Sequence, residues 1–280
     1  MEKLEKVSVI IRTCNRTNVL ARALNSVRGQ TYKEIEVVVV EDGSNHSEKF
    51  VKEHYSDLNL VYKATGKKKG RTVAGNLGLS LATGTYFNFL DDDDILYPNH
   101  VEILVKELKK SQCVAAYGIA EESQIIQNLE NLVQSKEKRK IIRYQQPFNR
   151  LLLYSFNYLP IQSILFKREL YEKAGGFDEN LDVLEDWDLW VRYSTLGDFI
   201  LKPVVTSKYY VPYKGKKKKN RSKELDRALQ TVRNKFASYP LQCNVGMMQK
   251  EMDYVLNVYN QKKLFYYMRQ VWNYFVYGER

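Results

Sequence analysis

Two short runs constrain this chain more than anything else in it: Val7-Ser8-Val9-Ile10-Ile11 and Ile35-Glu36-Val37-Val38-Val39-Val40. Near-continuous β-branched side chains suit strands covered on both faces, as in a parallel sheet packed between helices. A third run, Thr85–Leu90, also has strand character. Segments of helical period lie between them. Thr17 or Asn18 can cap a helix in which Leu20, Ala23, Leu24 and Val27 share a face, and a second helix reaches Ala82 before Thr83-Gly84 closes it. A helix through about residue 55 and a short strand at Leu58–Tyr62 complete a β-α-β-α-β-α-β alternation. That order predicts an open α/β sheet with its ligand site at the C-terminal edge of the strands. No Gly-x-Gly-x-x-Gly follows the first strand, which disfavours a dinucleotide-binding domain.

The predicted edge carries the chemistry. The first strand ends in Arg12-Thr13-Cys14-Asn15-Arg16 and the second in Glu41-Asp42-Gly43-Ser44. The third delivers Asp91-Asp92-Asp93-Asp94, after which Pro98 opens a helix to Lys110. Four adjacent carboxylates repel one another, so stability alone does not place them together. A divalent cation would: hard cations take oxygen ligands, and Mg²⁺ or Mn²⁺ characteristically joins one or two carboxylates to substrate phosphates. A solvated acidic turn is the rival reading, and the quartet by itself does not decide between them.

Farther on, Val114–Ile119 and Leu159–Phe166 read as strands and Gly175-Gly176-Phe177-Asp178 as a turn. Leu184–Arg192 reads as a loop entering a helix, with Glu185, Asp186 and Asp188 near its positive end. Residues 121–147 are polar, poorly periodic and match no element. Lys214–Arg221 reads as a basic, glycine-bearing loop. Helical period returns at Leu225–Phe236, through Met248, Met252, Val255 and Tyr259, and again at Phe265, Met268, Trp272 and Phe275.

At 280 residues and 44% hydrophobic, the chain can form one large domain with an extension. The net charge of +11 is uneven: residues 211–280 hold 15 of the 44 lysines and arginines against 5 of the 33 acids. The division expected is therefore residues 1–210 as the sheet domain and 211–280 as a basic loop with a helical extension. Cys14, Cys113 and Cys243 are too scattered for a disulfide framework, and with His46, His54 and His100 they form no zinc pattern. A reducing compartment is expected. The charged Met1–Lys6 shows no signal-peptide pattern and no apolar run approaches a membrane span, so the expectation is a soluble, cytoplasmic protein.

Several of these segments together resemble the family 2 glycosyltransferases, which have the GT-A fold. The matching pieces are Val7–Arg16, Gln30-Thr31-Tyr32, Glu41-Asp42-Gly43-Ser44, Ala74-Gly75-Asn76-Leu77-Gly78, Leu90–Asp94 and Gly175-Gly176-Phe177-Asp178 followed by Glu185–Trp190. They occur in the family's order over roughly residues 7–195, and the ordered set is far more specific than any one piece. The resemblance implies a Rossmann-like, mostly parallel sheet flanked by helices. It also implies transfer of a sugar, usually with inversion, from a nucleoside diphosphate to an acceptor hydroxyl.

Residue roles follow from the same resemblance. Asp91 and Asp93 take the metal positions, with Asp93 in direct contact with Mn²⁺ or Mg²⁺, although four acids in a row leave the register ambiguous by one. Asp92 faces the ribose or donor sugar, and Thr13, Asn15, Arg16 and Asn76 line the nucleotide-sugar site. Asp42 is placed to accept from a base, commonly uracil, for which a carboxylate is a suitable acceptor. Asp186 matches the catalytic base, with Glu185 and Trp187 as candidate acceptor or sugar contacts. Three positions depart from the pattern: Arg12 stands where proline is common, Cys14 where tyrosine is common, and Gly75 where an arginine is frequent. Arg71 or Lys67–Lys69 would have to supply the missing charge.

The expected partners are a nucleotide-sugar donor, probed first as a UDP-sugar, and a saccharide or lipid-linked acceptor, in bacterial polysaccharide or glycoconjugate assembly. The aromatic tail, interleaved with Lys262, Lys263 and Arg269, leaves two readings open: helix packing or contact with a second copy, and peripheral contact at the inner face of a membrane. Two other classes compete. A sugar-nucleotide nucleotidyltransferase would want a Gly-rich basic loop after the first strand, which Arg12–Arg16 does not provide. A nucleic-acid-binding protein using the basic tail leaves the acidic quartet and Glu185-Asp186 unexplained, so no nucleic-acid partner is expected.

Overall fold

The computed structural model of the chain describes residues 4–126, 135–213, 216–239 and 244–260. Its first half follows the predicted alternation: β1 (Val7–Thr13), α1 (Thr17–Arg28), β2 (Ile35–Glu41), α2 (Glu48–His54), β3 (Leu60–Ala64), α3 (Arg71–Leu81) and β4 (Tyr86–Asp91). These four strands are parallel, in the order β3-β2-β1-β4. Their β-branched and aromatic side chains alternate between two cores. Ile10, Val38, Val40, Phe87 and Phe89 face α3 and the later helices, whereas Val9, Ile11, Val37 and Val39 face α1 and its neighbours. Burial on both faces is why these runs show little polar alternation.

The second half comprises β5 (Ile95–Leu96), α4 (His100–Lys110), β6 (Ala115–Ile126), β7 (Lys136–Ile142), α5 (Arg150–Ser155), β8 (Ile164–Lys167), α6 (Arg168–Ala174), α7 (Glu185–Ser194), β9 (Phe199–Pro212), α8 (Lys216–Phe236) and α9 (Val245–Asn260). The sheet continues beyond β4 as β8-β6-β9-β5, with β7 paired to β6. Strands β8 and β7 run antiparallel to their partners, while β6 and β9 are parallel to each other.

Three expectations change here. The strand expected at Leu159–Phe166 begins only at Ile164, after a single 3₁₀ turn at Ile161–Ser163. The polar stretch after residue 120, which matches no element in the sequence, is strand in its described parts: β6 runs on to Ile126 and β7 answers it from Lys136. Its polarity is satisfied internally, because Arg143 donates to Glu122 at 2.7 and 2.6 Å, Tyr209 donates to Glu122 at 3.0 Å, and Ser123 donates to Glu137 at 2.6 Å. The basic segment is helical from Lys216, since lysine is a good helix former once past Gly215. Lys214, Gly215 and the aromatic repeat Phe265–Phe275 lie outside the described residues.

The C-terminal helices pack onto the sheet's helical layer. Val232 of α8 is buried in the same core as α7, and Phe236 meets the Trp187 ring edge-on at 5.0 Å. On α9, Glu251 accepts from the Leu151 amide at the start of α5 (3.2 Å) and pairs with Arg150 (3.1 Å). Among the described residues no helix is long and apolar enough to cross a membrane.

Candidate active site

The parallel register of β1 and β4 sets Arg12 beside Asp91 at the C-terminal edge of the sheet. Arg12 is buried, lies over the rings of Phe89 and Phe177, and donates to Asp91 Oδ1 from Nε (2.9 Å) and Nη2 (2.7 Å). Its remaining arm donates to Glu185 Oε1 at 3.2 Å, joining the strand edge to the first residue of α7. A Cβ at Gly75 would stand 2.6 Å from the Phe177 ring and 3.5 Å from the Arg12 side chain, so a side chain there would displace this packing. The unusual Arg12 and the unusual Gly75 are therefore one feature. Burial opposes ionisation of Asp91, but Arg12 and then Arg71 outweigh it and hold the carboxyl below its ordinary range.

The other three acids differ sharply. Asp92 is fully buried; Thr13 donates to it at 2.7 Å, and Arg16 donates from Nε at 3.1 Å and again from Nη2. Burial, against the pull of Arg16, pushes its carboxyl up to about 7. The resemblance implies a place for Asp92 facing the ribose or donor sugar; here Thr13 and Arg16 occupy both of its oxygens. Asp93 is the most exposed of the four, with Arg16 at 3.2 Å from one oxygen and Arg22 donating to its backbone carbonyl. Asp94 is buried beside β9, and burial raises its carboxyl well above the usual range.

Asp186 lies at the N-terminal turn of α7. Its Oδ1 accepts from the Trp187 amide (2.8 Å) and its Oδ2 from Asn157 Nδ2 (3.0 Å). Burial first, and the neighbouring Glu185 second, push its carboxyl up to about 7, with Arg12 pulling the other way. A carboxylate with that proton affinity can take a proton near neutral pH and hold it. Glu185 is buried and binds both Arg12 and Arg71, the latter at 3.5 Å from the first residue of α3.

Other sequence-predicted residues are placed as follows. Asp42 accepts the amides of Lys69 (Oδ1, 2.6 Å) and Gly70 (Oδ2, 3.0 Å), with the Thr65 hydroxyl 3.4 Å from Oδ1, so it shapes the entry to α3, and Oδ2 keeps a lone pair. Asn15, in the left-handed region at φ 52°, donates its amide to the buried Glu41 at 3.2 Å and sets its side chain against Gly43. Asn76 clamps the glycine turn, exchanging bonds with the Phe177 backbone (3.0 and 2.7 Å) and donating to Glu179 (2.9 Å). Trp187 is not a wall of the site: it is 1% exposed, and its indole donates to the Leu153 carbonyl at 2.6 Å. Sequence reasoning missed Asn157 and Arg22, which no motif marks. It noticed Arg12 only as a departure.

Among the described residues no three His, Cys, Asp or Glu side chains form a preassembled metal cage. The donor set fits a sparser site. Asp91 uses only Oδ1 for Arg12 and Asp93 only Oδ2 for Arg16, so one oxygen of each accepts nothing from the described residues. Two hard carboxylate oxygens, completed by phosphate oxygens, are what a bound Mg²⁺ or Mn²⁺ typically requires.

Comparison with known proteins agrees with this geometry. The pattern of Glycosyl transferase family 2 matches residues 8–175. An uncharacterized glycosyltransferase of Rickettsia typhi, RT0329, is 34% identical over 195 residues, covering 67% of this chain and 58% of that protein. The chain spans 36% of one further Rickettsia relative and 58% of another. Among solved structures, S. aureus TarS 1-349 in complex with UDP shares the fold at a TM-score of 0.65 and 16% identity, over 91% of this chain and 72% of that one. The mannosyltransferase PcManGT of Pyrobaculum calidifontis, in complex with GDP-Man and Mn²⁺, gives 0.58 and 17% over 100% and 89%. With more than half of its length matched by the family pattern, the chain belongs to the family 2 glycosyltransferases.

Proposed function

We propose that the chain moves a sugar from a nucleoside-diphosphate donor, first of all a UDP-sugar, to a hydroxyl of a saccharide or lipid-linked acceptor. The transfer is metal-dependent and inverts the anomeric carbon, and its setting is polysaccharide or glycoconjugate assembly. The observation that carries the reading is the Arg12 bridge. Arg12 lies 79 residues before Asp91 and 173 before Glu185 and joins the two, which supports a diphosphate-metal edge facing a base at Asp186.

Each residue then has a task. Asp93 and the open oxygen of Asp91 hold the cation, which when bound offsets the charge of the departing diphosphate. Arg16 and Arg71, both exposed at the rim, face the same phosphates. Thr13, Asn15 and Asp42 border the place for the base at the ends of β1 and β2. Asp186 takes the proton of the acceptor hydroxyl as its oxygen bonds to the anomeric carbon. The bond from that carbon to the diphosphate breaks on the opposite face, and the leaving group takes the electron pair.

Melting the protein with UDP, GDP or dTDP, each with and without Mn²⁺, tests this. A nucleotide at a hundred times its dissociation constant stabilises by about 2.7 kcal/mol. The expected result is a Mn²⁺-dependent rise with UDP that disappears in Asp93→Ala. A rise with GDP or dTDP instead would change the donor, and no rise with any of them would overturn the donor site.

A further inference from the structure

We propose that Asn157 is the positioning residue for Asp186: its side-chain amide fixes the carboxylate through a donor that no other side chain around it supplies. The inference rests on the reading of Asp186 as the base. Asn157 follows α5, outside the segments that carry the resemblance in the sequence. Its own carbonyl oxygen accepts the Leu159 amide at 3.1 Å, which directs its NH₂ group toward Asp186 Oδ2 at 3.0 Å. Flipping the amide would set NH₂ against the Leu159 N–H and oxygen against a carboxylate, so only one orientation satisfies both neighbours.

The segment holding Asn157 is tied to the helix it serves. Trp190 of α7 donates its indole N–H to the Leu159 carbonyl at 3.1 Å, and Trp187 reaches Leu153 in α5. On the other side, the Tyr158 hydroxyl accepts the Asn149 amide (2.9 Å) and donates to the Asn149 carbonyl (3.1 Å). The carboxylate and its donor thus belong to one packed unit and do not drift apart.

The groups facing Asp186 come from four elements. Glu185 on α7 adds a like charge, Arg12 on β1 an opposite one, and Arg71 on α3 acts through Glu185. Asn157 is the fourth, and among the described residues it is the one side chain that donates directly to the carboxylate; the Trp187 amide is the backbone donor. Burial and Glu185 favour the protonated acid, which cannot serve as a base. A donor to the ionised form opposes both.

The test is a titration of the chain labelled with ¹³C at aspartate carboxyls, the Asp186 resonance being assigned by its loss in Asp186→Asn. The wild-type midpoint is expected near 7. Asn157→Asp keeps an oxygen for the Leu159 amide and replaces the donor by a second carboxylate, so the midpoint should rise by about one pH unit or more. Asn157→Ala, which removes the donor without adding charge, should raise it less. An unchanged midpoint in the folded variants overturns the proposal, and if Asn157→Asp does not fold, the alanine variant decides alone. Release of UDP from a UDP-sugar by Asp186→Asn tests the underlying reading separately. Wild-type release there would remove the base assignment, whereas lost release with an unmoved midpoint would remove only the part assigned to Asn157.

Discussion

The acidic loop after β4 and the start of α7 are alike in composition and opposite in how they treat their carboxylates. In the loop, Asp91 and Asp92 are held by guanidinium groups, Asp94 is buried beside β9, and Asp93, paired with Arg16 through one oxygen, is the most exposed of the four. On α7, Glu185 is held by two arginines. Asp188 is enclosed by Arg192 (3.0 Å), Lys235 (2.8 Å) and Tyr239 (2.6 Å), while Asp186 has only neutral donors. A carboxylate with both oxygens engaged positions its neighbours, and an oxygen that has no cationic partner remains available to a metal or a proton. What each acid touches, more than its place in the motif, separates scaffold from chemistry.

Asp186→Asn should break that contrast most visibly. It removes the acid able to take a proton near neutral pH, and sugar transfer should fall by about 10²–10⁴-fold while UDP-induced stabilisation stays unchanged. The same substitution should leave the fold more stable at pH 8. Asp186 binds its proton more tightly folded, at about 7, than an ordinary aspartate does. Its stabilising contribution is therefore complete below about pH 4 and is lost as the pH rises through about 7. Asparagine has no such titration, so a melting series should show the variant's advantage shrinking steadily toward pH 4.

Arg12→Met comes next and sharpens the other side of the comparison. The substitution leaves Asp91 and Glu185 facing each other without their shared cation in a buried position. Removing one partner of a buried pair typically costs about 3–5 kcal/mol, which urea unfolding would measure. A change below about 1 kcal/mol would mean that solvent or Arg71 replaces the bridge.

The two regions also differ in how much of them is legible in sequence. β1, β2 and β4 are local statements: each is a buried run whose side chains need no distant partner to identify it. The acidic quartet and Glu185-Asp186 stand at the ends of such elements and are found with them. Arg12 is different, because its meaning depends on Glu185, Phe177 and the absence of a side chain at Gly75, all brought together by folding. The same holds for β6 and β7, where Glu122 and Ser123 match no element until Arg143, Tyr209 and Glu137 are seen to satisfy them. Asn157 lacks any local signal, since its partner in the site, Asp186, comes from α7.

The smallest expected effect belongs to Lys235, and it asks whether the C-terminal helices matter to the base at all. Lys235 on α8 pairs with Asp178 of the glycine turn (2.5 Å) and with the buried Asp188, two residues on from Asp186. Arg192 and Tyr239 remain on Asp188 when Lys235 is removed, so no buried carboxylate is stranded. Lys235→Ala should therefore cost only about 1–2 kcal/mol. For a chain this long that is a fall of roughly 2–8 °C in melting temperature. The informative readout is the Asp186 titration in this variant. An unmoved midpoint with a lowered melting temperature would confine α8 to holding α7 in place. A moved midpoint would mean that the C-terminal helices set the geometry of the base, joining the least legible part of the sequence to its most legible motif.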